Sequence, residues 1–396
     1  MSKKTFMVVT IISVFLISLI AVVQGVKAQS SVTVYINSDG NVDPSTAPIQ
    51  RSGNVYILKA DLSGSIIVDK DNIVLDGTNH ALQKGTGAFQ AKYGIDITDR
   101  INVTVENLKI SGLYYSICMV NSSNIKIRNT IIEHTIGYGI EIRNCSNSEI
   151  IGNIINSTFR PIDIAPGQLG VVVFGETSVN NTISNNTITG EFVGIAGSYG
   201  PNNSTISWNN VSICQLGIFV VSYCNIFGNN VYDTVKYNSG REGSIGIYAG
   251  SHNRIYGNNF SNNSIGLKLN KDPYVNPPWG NGTGLELGLD NVIYGNNFVN
   301  NSEQVDAGST LPNVWDKGTI GNYWSDYQTK YPNAKEIGSS GIGNTTYVID
   351  SSNIDHYPLT KLVAIPEFPS WIILPAFLVG SLLIGVTFKR KNDSKS

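Results

Sequence analysis

The feature that most constrains the fold of this 396-residue chain is a short phrase that recurs seven times. An aliphatic residue is followed by spacer residues, an Asn and a second apolar residue. The clearest copies are Ile226–Val231, Ile255–Phe260 and Ile293–Phe298, and earlier copies centre on Asn129, Asn153, Asn186 and Asn209. Repetition with a period of roughly 20 to 50 residues predicts a solenoid, in which each repeat packs only against its neighbours.

The intervals between the repeat asparagines set the length of one coil. Successive asparagines are 24, 33, 23, 20, 29 and 38 residues apart. The shorter intervals predict a basic coil of roughly 20 to 24 residues, and the longer ones contain loop insertions on one edge. A turn residue followed by an aliphatic residue recurs after these asparagines, for example at Gly194, Gly217 and Gly266. This second marker predicts the same register.

Apolar and polar residues alternate between these markers, as in Ile140-Glu141-Ile142. Alternation with a period of two predicts short strands with one buried face. Three such strands per coil, stacked in parallel about 4.8 Å apart, predict an all-β parallel β-helix. We interpret the recurring Asn as structural, because Asn tolerates left-handed backbone geometry and stacked amides can form a ladder. A ligand-binding role for the whole series is the alternative.

The two ends of the chain predict its location. Basic residues and an apolar run over 6–23 precede Ala28, which predicts a secretory signal peptide over 1–28, with an uncleaved signal anchor as the alternative. Residues 371–388 carry no charge and are long enough to cross a bilayer. A basic cluster follows them, so we expect a C-terminal transmembrane helix with a cytoplasmic tail at 389–396. The membrane is therefore one expected partner.

The sequence between these ends predicts four further segments. They are an N-terminal segment and cap over 29–70, β-helix repeats over 71–312, a C-terminal capping segment over 313–360 and a linker over 361–370. Aromatic residues of the capping segment, such as Trp315, Trp324 and Tyr327, are expected to cover the exposed end of the coil, as terminal repeats must.

Composition narrows the function classes. Charged residues make up 14% of the chain and the net charge is −2, so the sequence excludes the basic patches that nucleic-acid binding needs. Fourteen Asn-x-Ser/Thr sequons lie between Asn102 and Asn344, which suits glycosylation of an exported domain. Export also permits disulfides. Of the four cysteines, only Cys214 and Cys224 are close in sequence, so a bond is expected there if anywhere. The sequence gives no oligomeric state.

Several phrases carry a family resemblance over roughly residues 50–360. They are the opening 71–77, the repeated Ile-x-Gly-Asn-Asn rungs, Gly321–Tyr327 and Gly341–Asp350. Together they resemble the NosD-type periplasmic copper-binding family, particularly its archaeal surface members, and the resemblance implies a right-handed β-helix. The Pro-Glu-Phe-Pro segment at 366–369, with the basic tail, is similar to archaeal sorting tails. That similarity implies cleavage and transfer to a lipid anchor, although a plain membrane anchor explains the same residues.

The family name implies copper handling, which the residues do not favour. Copper sites use converging sets of Met, Cys or His. The ectodomain offers Met119, His80, His134, His252 and His356. The predicted register scatters these residues, so we predict no metal site and no cofactor. The acidic, calcium-like loop of family members corresponds here to 333–340, which contains a single acid and therefore predicts no calcium site.

One strand face contains the candidate site residues. In the predicted register its outward row reads Glu141, Asp163, Ala196, Phe219, Tyr248 and Lys268. Glu141 and Asp163 would lie about 5 Å apart on successive coils, with Arg143 nearby, and could act as nucleophile and general acid or in a lyase. The alternative, which we favour, is a pair of solvated charges neutralised by arginine.

The same row becomes aromatic at Phe219 and Tyr248. Stacked exposed aromatics suit sugar rings, so these two residues are the candidate ligand-binding pair. They would also be explained by an insertion, such as 233–243, that folds over the sheet.

Three hypotheses follow from the sequence. The first is a membrane-anchored extracellular β-helix that acts as a non-catalytic scaffold or adhesion module and binds glycan. The second is a polysaccharide lyase or hydrolase that uses Glu141 and Asp163. The third is a copper-handling accessory protein.

Overall fold

The computed structural model describes most of the predicted ectodomain. The described residues are 31–85, 93–134, 136–157, 168–175, 177–197, 203–236, 244–269, 288–308 and 312–365. The predicted signal peptide, transmembrane helix and cytoplasmic tail, together with Asp163, lie outside these ranges. Among the described residues, no helix has the length and apolar character needed to span a bilayer.

The chain winds through three sheet faces, which we call A, B and C in the order in which each coil visits them. Face A comprises Val32–Ile36, Leu62–Val68, Tyr93–Thr98, Tyr115–Val120, Tyr138–Arg143, Leu169–Phe174, Val193–Gly197, Leu216–Val220, Ile245–Ala249, Ile265–Lys268 and Glu303–Asp306. Neighbouring strands of this face pair in parallel, with Ile140 opposite Val171 and Ile218 opposite Ile247.

Faces B and C consist mostly of three-residue strands. Face B comprises Val55–Leu58, Ile73–Asp76, Val103–Glu106, Lys126–Arg128, Glu149–Ile151, Thr182–Ser184, Thr205–Ser207, Asn225–Phe227, Arg254–Tyr256 and Val292–Tyr294, with Ile49–Ser52 antiparallel at its edge. Face C comprises Ala81–Gln83, Lys109–Ser111, Ile131–Glu133, Ile154–Asn156, Thr187–Thr189, Asn210–Ser212, Asn230–Tyr232, Asn259–Ser261, Asn297–Val299 and Tyr323–Trp324. The remaining elements are the strand Val42–Asp43, the helix Tyr327–Lys330 and the hairpin of Tyr347–Val348 with Ile354–Asp355.

This architecture confirms the predicted parallel β-helix. Parallel pairing starts at Val32–Ile36 with Leu62–Val68 and continues to Asn297–Val299 with Tyr323–Trp324. It therefore extends beyond both ends of the span 71–312 that the repeats indicate.

The recurring phrase forms the corner between faces B and C. Its first aliphatic residue is the central residue of a face B strand, and these residues stack inside the coil: Ile127, Ile150, Ile183, Ile206, Ile226, Ile255 and Ile293. Its second apolar residue does the same on face C: Ile132, Ile155, Ile188, Val211, Val231, Phe260 and Phe298. All fourteen side chains are buried. Each copy of the phrase therefore adds one layer of two apolar side chains to the core.

The asparagines between these two apolar stacks form a ladder along the inside of the corner. Its members are Asn153, Asn186, Asn209, Asn229, Asn258, Asn296 and Asn322. The backbone N–H and the Nδ2 of each Asn donate to Oδ1 of the next, at 2.9–3.1 Å. Each Nδ2 also donates to a main-chain carbonyl of a preceding coil, as from Asn258 to Ile226. The predicted amide ladder is therefore confirmed.

Two details of the predicted ladder change. From Asn153 to Asn296, the left-handed residue of the corner is the one before the ladder Asn, for example Gly228, which precedes Asn229. In the earliest copy, Asn129 is the left-handed residue, with φ 51°, so the ladder position belongs to the next residue, Thr130. Thr130 donates its backbone N–H to Oδ1 of Asn153 at 3.0 Å. The assignment of Asn129 to the ladder is therefore wrong by one residue.

The ladder ends on a buried carboxylate, Asp355. Its Oδ2 accepts from the Asn322 backbone N–H at 2.7 Å and from the indole N–H of Trp324 at 2.9 Å. Burial raises the pKa of Asp355 to about 6, although these donors act to lower it. Trp324 in turn stacks between Phe298 and Tyr347, with ring centroids 4.4 and 4.1 Å away.

Two other corners contain shorter ladders that also end in the C-terminal segment. One runs through Asn253, Asn291, Asn313 and Asn353. Its last amide donates to both carboxylate oxygens of Asp350, at 3.0 and 2.8 Å. The other runs from Asn263 through Asn301 to Gln304, whose Nε2 donates to Asp326 at 3.3 Å.

The chain leaves the coil along the outside of face C. The side-chain amide of Asn297 donates to the main-chain carbonyl of Val363 at 2.9 Å and accepts from its N–H at 2.8 Å. This outward amide therefore pairs with the departing segment as a neighbouring strand would.

All four cysteines are buried and none forms a disulfide, so the expected Cys214–Cys224 bond is wrong. The strand Leu216–Val220 lies between the two residues and places them at opposite ends of face A. Cys214 and Cys224 therefore fill inward corner positions, as Asn and Ser do in other coils.

Asn258→Ala tests the ladder. The substitution removes the acceptor for two Asn229 donors and leaves the Ile226 carbonyl without its side-chain donor. Because buried groups that lose their partners each cost about 1–3 kcal/mol, we expect a loss of roughly 2–4 kcal/mol in the free energy of unfolding. Asn259→Ala, at the adjacent outward position, is the control and should cost less than about 1 kcal/mol. If urea denaturation gave equal losses in the free energy of unfolding for the two variants, the ladder would contribute no more to stability than an outward Asn.

One buried acid lies inside the coil at the corner between faces C and A. Glu191 accepts a hydrogen bond from the Ser157 hydroxyl at 2.6 Å, and its second oxygen has no partner among the described residues. Burial raises the pKa of Glu191 from 4.5 to about 8, against the lowering effect of Ser157. The carboxyl group is therefore protonated in the folded protein at neutral pH.

Glu191 makes stability depend on pH. The folded state holds the proton up to about pH 8, whereas the unfolded chain releases it near 4.5. We therefore expect this group to lower the free energy of unfolding by about 1.4 kcal/mol per pH unit as pH rises between these values. Glu191→Gln should reduce the slope by this amount in denaturation curves measured from pH 5 to 8, while the raised pKa of Asp355 still contributes a slope of the same sign below about pH 6. An unchanged slope would contradict the assignment.

Candidate functional site

The outward row of face A follows the predicted register with one exception. Ala196, Phe219, Tyr248 and Lys268 pair in succession as expected. The residue opposite Glu141 is Val172, however, and not Asp163. Asp163 lies in the sequence between Ile154–Asn156 and Leu169–Phe174, outside the described residues. The prediction that Asp163 neighbours Glu141 on the next strand of this face is therefore wrong.

Glu141 is paired and almost completely covered. Only 2% of its surface is exposed, and its carboxylate forms an ion pair with the Arg143 guanidinium. The Cys118 thiol lies 3.6 Å from its other oxygen. Burial, reinforced by the Glu141 carboxylate, raises the pKa of this thiol, which is therefore un-ionised. Arg143 thus neutralises Glu141, as the favoured interpretation of these charges predicts, but the expectation that Glu141 is solvated is wrong.

The predicted aromatic pair is buried. Phe219 and Tyr248 expose 3% and 1% of their surface, and their ring centroids are 5.4 Å apart. They belong to an apolar cluster on the outer side of face A that comprises Leu169, Val172, Phe174, Phe192, Val193, Ala196, Phe219, Val221, Ile245, Tyr248 and Ile265. The expectation that these rings are exposed is therefore wrong. A strand such as Leu169–Phe174 is apolar at nearly every position, as is typical of strands covered on both sides.

The aromatic residues that do reach the surface of face A lie several coils earlier. Tyr93, Tyr115 and Tyr138 are half-buried and pair in register on successive strands. Their ring centroids are 5.3 and 5.0 Å apart, and the rings are tilted by 31° and 68°. Exposed Tyr114 packs edge-on against Tyr115 at 4.8 Å. Because the rings are tilted, they present part of their faces as well as their edges.

Polar groups lie beside these tyrosines on the same strands. The half-buried Asp96 accepts a hydrogen bond from the Thr98 hydroxyl at 2.6 Å, and the Arg143 guanidinium is half exposed. We call Tyr93, Tyr115, Tyr138, Asp96 and Arg143 the tyrosine patch. The sequence contained a signal for it, since each Tyr occupies the same place three residues before Asp96, Cys118 or Glu141.

Face B carries a second aromatic row in the later coils. Phe227, Tyr256 and Tyr294 stack almost in parallel, with centroids 5.0 and 5.3 Å apart and tilts of 11° and 4°. Trp208 meets Phe227 edge-on at 5.9 Å. The Arg254 guanidinium carbon lies 5.9 Å from the Tyr256 ring centroid. We call these four aromatic residues the face B row, which the sequence analysis missed.

Three bulky residues of one coil occupy left-handed corner positions. Trp208, Ile213 and Tyr223 have φ values of 59°, 53° and 58°. Apart from Thr78, the other described non-glycine residues with positive φ are Asn, Asp or His. Left-handed geometry costs an ordinary side chain about 1–2 kcal/mol. Ile213 and Tyr223 remain 43% and 44% exposed, so burial does little to offset the strain.

Ile213→Asn tests this strain. Asn adopts left-handed geometry more readily, so we expect the variant to gain about 1 kcal/mol in the free energy of unfolding. Asn300→Ile, at the corresponding corner of a later coil, is the reverse substitution and should lose a similar amount. A thermal melt in which Ile213→Asn is less stable than the parent would contradict the assignment.

The described residues contain no group of three His, Cys, Asp or Glu side chains that could hold a metal ion. His80, His252 and His356 each contact a separate aspartate, at 3.3, 3.7 and 3.0 Å. Met119 is buried in the core. These residues do not fit a copper site.

Comparisons with known proteins agree with this fold. The family model for the right handed beta helix region matches residues 49–211. The model for the periplasmic copper-binding protein NosD matches residues 168–284 and 276–329. The chain is a right-handed parallel β-helix. No curated protein matches it significantly.

Two solved structures illustrate the likeness. The periplasmic alginate epimerase AlgG is 11% identical, with a TM-score of 0.52, over 72% of this chain and 82% of that chain. The tailspike protein of E. coli bacteriophage HK620, in complex with a pentasaccharide, is 14% identical, with a TM-score of 0.48, over 74% of this chain and 59% of that chain. At 11% identity the likeness to the epimerase shows a shared fold only.

Proposed function

We propose that this chain is an extracellular β-helix that binds a glycan chain on face A and does not act as a catalyst. The tyrosine patch carries the proposal. Tyr93, Tyr115 and Tyr138 present one partly exposed, tilted ring per coil, next to the polar groups of Asp96 and Arg143. Aromatic rings with a few placed polar groups suit a pyranose, whose faces are apolar and whose rim is polar.

The charge of the tyrosine patch favours a neutral glycan. Glu141 and Arg143 neutralise each other, which leaves Asp96 as the unbalanced charge of the described patch. A chain of uronic acids would meet repulsion from this carboxylate, whereas hydroxyl groups would find an acceptor there.

Location outside the cytoplasm is part of the proposal. The apolar N-terminal segment 1–28 and the apolar C-terminal segment 371–388 support export and a C-terminal anchor. The word periplasmic in the description of the matching NosD family agrees with export. Glycosylation at the sequons and an archaeal surface setting belong to the same proposal and rest on the sequence.

The earlier candidates for the site have weaker support. Binding by Phe219 and Tyr248 would require the apolar cluster around them to open. Catalysis by Glu141 with Asp163 would require residues that the strand register does not place side by side. The alginate epimerase is named for an activity on a polysaccharide, but its likeness to this chain supports the fold alone.

Tyr115→Ala is the test of glycan binding. We expect the full chain to bind neutral oligosaccharides in calorimetry and Tyr115→Ala to weaken that binding about tenfold, because roughly 1.4 kcal/mol of stacking is lost. Tyr232→Ala, on face C, removes a half-buried tyrosine elsewhere and should bind as the parent does. Equal affinities for the two variants would contradict the site.

A second experiment, in which the full chain is incubated with polysaccharides, tests the proposed absence of catalysis. We expect no newly released sugar ends during incubation with neutral and acidic polysaccharides. Release that disappears in Asp163→Asn would overturn the non-catalytic proposal and favour the lyase or hydrolase. Stoichiometric uptake of Cu(I) by the full chain would favour the copper alternative instead.

A further inference from the structure

We propose that face B holds a second saccharide site, independent of the tyrosine patch, that takes an acidic sugar chain. The site is a strip bounded on one side by Tyr223 and His252 and on the other by the face B row. The floor between them consists of the three-residue strands Asn225–Phe227 and Arg254–Tyr256.

Both sides of the strip are aromatic. Tyr223 and His252 stack at the corner that leads into face B, with ring centroids 4.8 Å apart and a tilt of 25°. Trp208 and Phe227 lie at the opposite corner, where the chain leaves face B. A three-residue strand spans about 10 Å. The strip is therefore about as wide as one sugar residue and its substituents, and its length follows the axis of the coil.

Two exposed cations lie along the face B row. Arg254 is exposed beside the Tyr256 ring, and the Lys317 Nζ lies 5.5 Å from the Tyr294 ring centroid. The other outward positions of the two floor strands and of Val292–Tyr294 have no carboxylate: Asn225, Phe227, Tyr256, Val292 and Tyr294. The nearby carboxylates lie at the rim and contact histidines: Asp290 lies 3.7 Å from His252, and Asp316 accepts from His356 at 3.0 Å. Cations therefore adjoin the rings here, whereas the unbalanced charge of the tyrosine patch is the Asp96 carboxylate, so a different class of glycan is favoured.

One residue with strained backbone borders this strip on each side. Trp208 and Tyr223 are the two aromatic residues other than histidine with left-handed backbone among the described residues, and they border the same face. A side chain added at Gly228 would meet the Trp208 ring within 2.5–2.7 Å, so glycine leaves the space that the indole fills. Strained residues persist where the structure needs a particular side chain in place, commonly at binding sites. Ile213 has the same geometry elsewhere, so the strain supports a ligand site only together with the aromatic and charged groups of the strip.

A saccharide fits this strip better than a single-stranded nucleic acid. Phe227, Tyr256 and Tyr294 already stack on one another at 5.0 and 5.3 Å, so neither a base nor a pyranose can enter between them. The ring edges and the charged groups would therefore hold the ligand. Two exposed cations also match a sparsely charged chain of uronic acids better than a phosphate at every residue.

The test compares three probes with the full chain in calorimetry: oligogalacturonate, cellohexaose and oligothymidylate. We expect oligogalacturonate to bind and Arg254→Ala to weaken it at least tenfold, with a reduced dependence on salt. Trp208→Asn should weaken the same binding at least fivefold while raising the melting temperature, because the strained residue is replaced. Ile213→Asn, strained but located on the other side of the coil, should raise the melting temperature and leave binding unchanged.

The outcomes separate this site from the one on face A. Tyr115→Ala should leave oligogalacturonate binding unchanged. This expectation does not depend on the effect of the substitution on binding of the neutral probe, cellohexaose. Parent-like binding by both Arg254→Ala and Trp208→Asn would overturn the proposal, as would no oligogalacturonate binding by the parent chain. Tighter binding of oligothymidylate than of oligogalacturonate would overturn it in favour of a nucleic-acid site.

Discussion

Main-chain and side-chain amides buried at the corners of the coil are the groups on which the fold depends. Each corner turns polar backbone inward, and an unpaired N–H there would cost as much as a lost hydrogen bond. The Asn ladders satisfy these groups from one coil to the next, for example through Asn229 and Asn258. Because all three ladders end on carboxylates of the C-terminal segment, Asp355, Asp350 and Asp326, that segment completes the hydrogen bonding of the whole coil.

The same architecture separates structural from functional positions. Packing requires similar side chains at the inward and ladder positions of every coil. The side chains that differ from coil to coil are therefore those at outward strand positions and at corner positions outside the ladders. Face A uses its outward positions in two ways, as a tyrosine patch in the early coils and as an apolar cluster around Phe219 in the later ones. Face B presents aromatic rings and cations over the later coils. A single rod can thus offer surfaces of different chemistry at different heights.

The sequence predicted the period, the parallel strands and the ladder because all three follow from inward positions. Alternation of apolar and polar residues indicates which side of a strand faces the inside of the coil, and the stacking of the inward residues determines the period. It does not state what covers the outer side, so Phe219 and Tyr248 were expected at the surface and are buried. Asp163 was misplaced because Ile162-Asp163-Ile164 has the alternating pattern of a strand, whereas the residue opposite Glu141 belongs to Leu169–Phe174. The left-handed Trp208 could not be predicted, since propensity disfavours that geometry.

The pairing of Val363 with Asn297 determines where mechanical load enters the molecule. Any pull on the residues that follow Ile365 is transmitted first to two hydrogen bonds on the outside of face C and then to the C-terminal segment, where the Leu359 and Thr360 N–H groups donate to Asn322 and Gly341. These bonds lie at one end of a solenoid whose neighbouring coils are held by short strands. Under tension the coils would therefore peel off one at a time from that end, and the tyrosine patch, many coils away, would yield late. The rod would lengthen in steps and keep its far end folded.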